Sequence, residues 1–172
     1  MAPNLNLLDP ALVGVAGSAG GGDTMWQELG REAYEGSGTA SLSVSGLTDM
    51  PYYMILYHTV PLGSISINAR INGIDSEDYS NYTAYNGGGG ATVGDDRLMF
   101  PSGTGAAYDG FGVGYLQNKS TEEKLFVGST NTRMQATSAY APNTYETVGK
   151  WAETSNPVDE FEIFNSYGTL LI

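Results

Sequence analysis

The chain has 172 residues, 41% of them apolar, a formal net charge of −12 and no cysteine. That length suits one domain able to bury a core unaided, and the lack of cysteine excludes a disulfide framework, thiolate metal sites and a cysteine nucleophile. Seven Lys and Arg scattered among 19 acids give a phosphate backbone nothing to grip, which excludes nucleic acid as a partner.

The acidity reads as a device for solubility and self-repulsion of unassembled copies, or equally as adaptation to a saline habitat. Glycine (24) and tyrosine (12) are abundant, and only 15% of residues are charged, against about 25% in an average soluble domain. Few helix formers and many Gly, Ser, Thr and Tyr favour strands joined by tight turns. No run approaches the ~20 apolar residues that cross a bilayer, so no membrane is expected. No leader is legible either, because Asn6, Asp9 and Pro10 interrupt the first apolar stretch.

Residues 1–23 read as an N-terminal arm with a Gly-rich hinge, and residues 24–172 as the folded domain. Leu5, Leu7, Leu8, Leu12, Val13 and Val15 make the arm apolar. Asn6 or Asp9 can cap a short helical turn over 10–13, since Pro10 suits a first turn. Residues 17–22 are almost all glycine and small residues, a flexible link. Two readings stay open: a disordered terminus, or an arm that docks on a neighbouring subunit.

From Trp26 the chain reads as strand after strand. Residues 39–45 alternate, with Ala40, Leu42 and Val44 inward. Residues 52–60 are almost continuously apolar and predict a central strand covered on both faces. Residues 65–71 alternate again and end at Asn72-Gly73, a turn signal. Tyr79, Tyr82 and Tyr85 lie in the next strand, which stops at a loop tip over 87–90. Phe111, Val113 and Tyr115 alternate with Gly112 and Gly114. Strands follow at 124–128, 145–151 and 160–165, with a short one at 169–172. Nine or ten strands at intervals of about 10–12 residues predict an all-β, antiparallel β-sandwich, jelly-roll-like, with an extended N-terminal arm.

Chemistry is hard to find in this pattern. His58 is the only histidine; inside an apolar strand it reads as a buried core residue, not the base of a triad, and alone it cannot make a zinc site. Asp75, Glu77, Asp78, Asp95, Asp96, Asp159, Glu160 and Glu162 are the carboxylates available for glycoside hydrolysis, which depends on a separation that spacing does not give. Calcium is the better use of Asp75, Glu77 and Asp78, because it takes six to eight oxygens; a plain Asx-rich turn over 72–78 explains them more simply. Residues 87–90 lack the Lys-Ser/Thr of a phosphate loop. Asn81 and Asn118 open glycosylation triplets, which also arise by chance. The tyrosines serve equally well as interface residues, sugar platforms or plain strand formers. No catalytic residue and no cofactor emerge, and the chain is expected not to be an enzyme.

Five segments carry a resemblance: Trp26 to Arg31 with the alternating 40–47; the apolar 52–57; the run 67–80, Ile-Asn-Ala-Arg-Ile-Asn-Gly-Ile-Asp-Ser-Glu-Asp-Tyr-Ser; residues 145–151; and residues 161–165. Together they resemble a group of tailed-phage virion proteins, β-sandwich domains associated with capsid or tail and found at fibre tips. The run 67–80 is similar to the group's Arg-x-Asn-Gly-Asp-Ser-x-x-Asn-Tyr-Ser, with Ile74 inserted and Asp78 where Asn is usual. The resemblance spans 26–165 and excludes the arm.

It implies a structural protein of a phage particle, decorating or cementing the capsid or built into a head or tail fibre. The arm would drive assembly with other virion proteins and with copies of itself. The protein would be made in the host cytoplasm and end in the extracellular virion. A second expectation is a carbohydrate- or receptor-binding module holding a host-surface glycan on Tyr79, Tyr82 and Tyr85. A third is a surface filament subunit joined by arm exchange.

Overall fold

A computed structural model of the chain describes residues 12–17, 27–33, 41–47, 50–59, 67–100, 110–119, 121–132 and 142–165. Twelve strands form there, most of them carrying β-branched or aromatic residues: β1 (Leu12–Gly17), β2 (Gln27–Ala33), β3 (Ser41–Ser45), β4 (Tyr52–Thr59), β5 (Ile67–Ile71), β6 (Tyr79–Tyr85), β7 (Gly88–Asp95), β8 (Leu98–Met99), β9 (Gly110–Gln117), β10 (Lys124–Thr132), β11 (Asn143–Trp151) and β12 (Glu160–Asn165). No helix occurs among the described residues.

The strands form two antiparallel sheets. The large one has the order β2-β1-β4-β9-β10-β11-β6-β7, the small one β3-β12-β5-β8. They pack face to face as a β-sandwich. Ile67, Ala69 and Ile71 of β5, Phe161 and Ile163 of β12, Leu42 and Val44 of β3, and Leu98 of β8 meet Tyr53, Ile55 and Tyr57 of β4, Leu116, Phe126, Trp151 and Tyr79. Phe100 sits amid this layer with its ring centroid 4.5 Å from Tyr57, 5.2 Å from Phe126 and 5.9 Å from Phe161. The strands number more than the eight of a jelly roll.

Two Asn-Gly pairs fix turns. Asn72 and Gly73 (φ 55° and 65°) end β5, and Asn86 and Gly87 (φ 46° and 88°) join β6 to β7. Both central residues lie in the left-handed region, as a two-residue hairpin turn requires. Because Asn86-Gly87 already closes the hairpin, Gly88, Gly89 and Gly90 continue into β7. The loop tip expected over 87–90 is therefore shorter than its glycines suggested.

The arm expected over 1–23 needs correction. Leu12, Val13 and Val15 lie in β1, which pairs with β2 on one side and β4 on the other, Val15 opposite Gly30 and Ile55. The strand keeps Leu12 and Val13 out of a helical turn and puts part of the supposed arm inside the sandwich, so the boundary at 23/24 does not separate arm from domain. The physical reason is pairing: β4 is apolar, and its backbone groups need a partner on that side. Leu5, Leu7, Leu8, the rest of the hinge and the strand expected at 169–172 lie outside the described residues.

Polar side chains, most of them buried, tie the loops to this frame. Asn118 donates Nδ2–H to Met50 O (3.1 Å) and accepts from Val158 N–H (3.2 Å). Asn81 donates to Arg97 O (2.9 Å) and accepts from Met99 N–H (3.0 Å). Asn72 accepts from Asp159 and Glu160 N–H (2.8 and 3.0 Å) and donates to Pro157 O (2.8 Å). Lys124 is fully buried, with Nζ donating to the carbonyls of Glu122 (3.0 Å) and Glu153 (3.1 Å) beside the Trp151 ring.

Candidate interaction surface

The centre of the large sheet has its polarity turned over. On β9, Gly112, Gly114 and Leu116 face the core, while Phe111 and Tyr115 are exposed. On β10, Phe126, Gly128 and Thr130 face in, and Leu125 and Val127 face out. On β11, Thr147 and Gly149 are buried and Val148 is exposed. Space explains the choice. A Cβ on Gly114 would lie 2.6 Å from Phe126 Cε2, one on Gly128 2.7 Å from Phe126 Cζ, and one on Gly149 2.8 Å from Leu98 Cδ2; one on Gly112 would overlap the Tyr57 ring. Inward glycines make room for the core rings, and the strands' branched and aromatic residues are left on the other side.

Registers then assemble these residues into rows. Tyr82, Val148, Val127, Tyr115 and Met54 lie on one line across β6, β11, β10, β9 and β4. Lys150, Leu125, Gln117 and Tyr52 form the row on one side, and Glu146, Ser129, Val113 and Leu56 the row on the other. Val127 and Val148 are 52% and 53% exposed, and Tyr115 49%. Two shallow grooves flank the Tyr115–Val127 ridge. One of about 440 Å³ is lined by Tyr52, Gln117 and Leu125, and one of about 310 Å³ by Val113, Ser129, Glu146 and Val148. Five strands about 4.8 Å apart and three rows about 6.7 Å apart cover roughly 480 Å² in projection, a face of the size of the largest surface patch of a typical monomer. Charge on this face is sparse: Lys150 pairs with Glu123 at 2.8 Å, and Glu146 stands exposed.

The residues singled out from sequence are dispersed. Tyr79 is fully buried and its hydroxyl binds the backbone of Ile71 and Ile74; burial pushes it up to about 12. Tyr82 is on the outer row, and Tyr85 points to the opposite face, where its ring meets Tyr145 at 4.7 Å. A spacing of three on a strand separates faces, so the three do not form one sugar platform. Asp75, Glu77 and Asp78 are exposed on the turn, and Asp78 accepts a hydrogen bond from Ser76. Among the described residues no group of three or more His, Cys, Asp or Glu converges to hold a metal ion.

Asp95 and Asp96 belong to a surface ion cluster with Arg97 and Arg70. Burial and the hydrogen bond it shares with Asp96 raise Asp95. Burial also opposes ionisation of Asp96, but the Arg97 and Arg70 charges hold it below the usual range. Asp159 is exposed, and Glu160 and Glu162 half-buried, at and beside β12. His58, expected to be buried, is half-buried on the outer face opposite Phe111. The outer side of β4 is likewise not covered by another layer, since Tyr52 and Leu56 are exposed. Both glycosylation triplets start at buried asparagines whose amides are engaged in the fold.

The row of outward Val, Leu and Tyr is what sequence reasoning missed. Its signal was present: glycines alternating with Phe111, Val113 and Tyr115. Compared with known protein families, characterised proteins and solved structures, the chain matches none.

Proposed function

We propose that this chain is a structural subunit of a virus particle, one whose work is to be packed against other proteins. The observation that carries this is the inverted sheet: branched and aromatic residues line the outer face of β4, β9, β10 and β11 while glycines take core-facing positions on β9, β10 and β11. Leaving such a face in water forgoes about 25 cal/mol for each Å² that could be covered, and a chain with 12 negative charges in excess stays soluble until a partner covers it. The resemblance of residues 26–165 to tailed-phage virion proteins supplies the particle. A sugar-binding role fits this face less well, because of the outward side chains lining the larger groove only Gln117 and the hydroxyls of Tyr52 and Tyr115 can serve a ring of hydroxyls.

The test is peptide mass spectrometry on virus particles banded in a density gradient from the source culture. The chain should co-band with the particles in many copies. Its recovery only from the soluble fraction would overturn the proposal.

A further inference from the structure

We infer that the outer face of the large sheet is closed by the same face of a second copy, related by a two-fold axis running across the strands at Val148. The inference rests on the reading of the chain as an assembly subunit and names the partner of that surface.

Two observations carry it. The first is size. The face covers roughly 480 Å² in projection, and side-chain relief adds to that. A stable interface buries about 800 Å² per partner, so a second sheet fits where a small ligand or a single strand would leave most of the face wet.

The second is charge. Lys150 and Glu146 are outward residues of β11, two positions to either side of Val148. A two-fold axis through Val148 reverses the strand direction and sets Lys150 of each copy over Glu146 of the other, twice. Lys150 already pairs with Glu123 of its own chain, and Glu146 has no ion-pair partner among the described residues. The row between them, centred on Val127 and Tyr115, is apolar in both copies. An isologous contact must be self-complementary in this sense, and like-charge contact elsewhere on the face would oppose it.

The experiment is sedimentation velocity on the full chain at micromolar concentration. The unmodified chain should sediment as a dimer. Val127→Glu, a change at a half-exposed site, should give a monomer that keeps the far-UV spectrum of the unmodified chain. Glu146→Lys alone places two lysines over each other twice, and Lys150→Glu alone does the same with carboxylates; each should weaken dimerisation by about tenfold or more. Mixed together, these two variants should regain dimer affinity, because a Lys then meets a Glu at both contacts. A monomeric unmodified chain at 100-fold higher concentration would overturn the inference, and so would a mixture no tighter than its components.

The two readings fail separately. A chain that is monomeric in solution yet bands with particles removes the two-fold pairing and leaves the virion role. A dimer never found in particles does the reverse.

Discussion

Replacing Gly114 by alanine tests the argument that the core rings dictate which way the central strands face. The cross-strand pair Gly114–Gly128 forms a floor under the fully buried Phe126 ring. A methyl on Gly114 would stand 2.6 Å from Phe126 Cε2 and 2.9 Å from Cζ, where ordinary contact begins at 3.4 Å. The ring must therefore move by most of an ångström. It has little room, with Phe100 5.2 Å away on one side and Gly128 beneath. Two terms favour alanine: the buried methyl gains about 0.8 kcal/mol, and a less free unfolded chain gains about 0.4–1 kcal/mol. Overpacking opposes them with about 1–3 kcal/mol, occasionally more.

With so rigid a neighbour the upper part of that range applies, and Gly114→Ala should destabilise by about 1–2 kcal/mol net. That corresponds to a fall in melting temperature of about 2–8 °C for a chain of this length. A double-mutant cycle isolates the cause. Phe126→Ala alone should cost about 3–5 kcal/mol. In that background the methyl enters vacated space, and Gly114→Ala should be neutral or stabilising. The readout is urea unfolding followed by the fluorescence of buried Trp151. An equal cost of Gly114→Ala in both backgrounds, or no cost in the native one, would refute the steric reasoning.

Other outcomes follow from the same frame. Gly90→Ala, where no atom lies within 4 Å of the added Cβ, should raise stability by about 0.4–1 kcal/mol in urea unfolding. Asn118→Ala should cost about 3 kcal/mol, since it strands the Val158 N–H and the Met50 carbonyl in the interior; a loss below about 1 kcal/mol would remove Asn118 as a clamp. Tyr79, pushed up to about 12 by burial, stays neutral in the folded chain while the unfolded chain ionises near 10. Its contribution is complete below about pH 10 and lost between about 10 and 12, roughly 3 kcal/mol in all; urea midpoints should fall over that window, less steeply in Tyr79→Phe. Deleting residues 1–17 should cost more than about 3 kcal/mol, because β4 and β2 lose the hydrogen bonds of the strand between them, whereas a detached arm would be removed at no cost to the urea midpoint.

The fold was legible where one local rule decides. Leu42 and Val44 alternate with serines, so β3 could be placed with its inward side chains, and Phe161 and Ile163 alternate with glutamates, so the strand at 160–165 could be placed. Asn72-Gly73 announced its turn because only that kind of pair accepts two left-handed residues cheaply. β1 was not legible for the opposite reason. Leu-Val-Gly-Val-Ala-Gly has the alternation of a strand and also the composition of a linker, and what decides between them is β4, about forty residues away. The buried Lys124 gave no local sign either, since its hydrogen bonds go to two loop carbonyls that only the tertiary structure brings together.

The outward face was hidden by a symmetry of the strand itself. Alternation tells which residues share a side and not which side meets the core. Along β9 the reflex is to send Phe111, Val113 and Tyr115 inward and leave the glycines to water. The opposite holds because the space between the sheets is already full: Phe100, and Phe126 and Tyr57 from the strands on either side of β9, occupy the space that its inward side chains would need. Once Gly112 and Gly114 are forced inward, register carries the decision across the sheet, through Gly128 on β10 and Gly149 on β11, and turns Val127 and Val148 outward with Tyr115. A steric requirement set by three buried rings therefore fixes the chemistry of a surface on the other side of the sheet, and the assembly face and the core are specified by the same glycines.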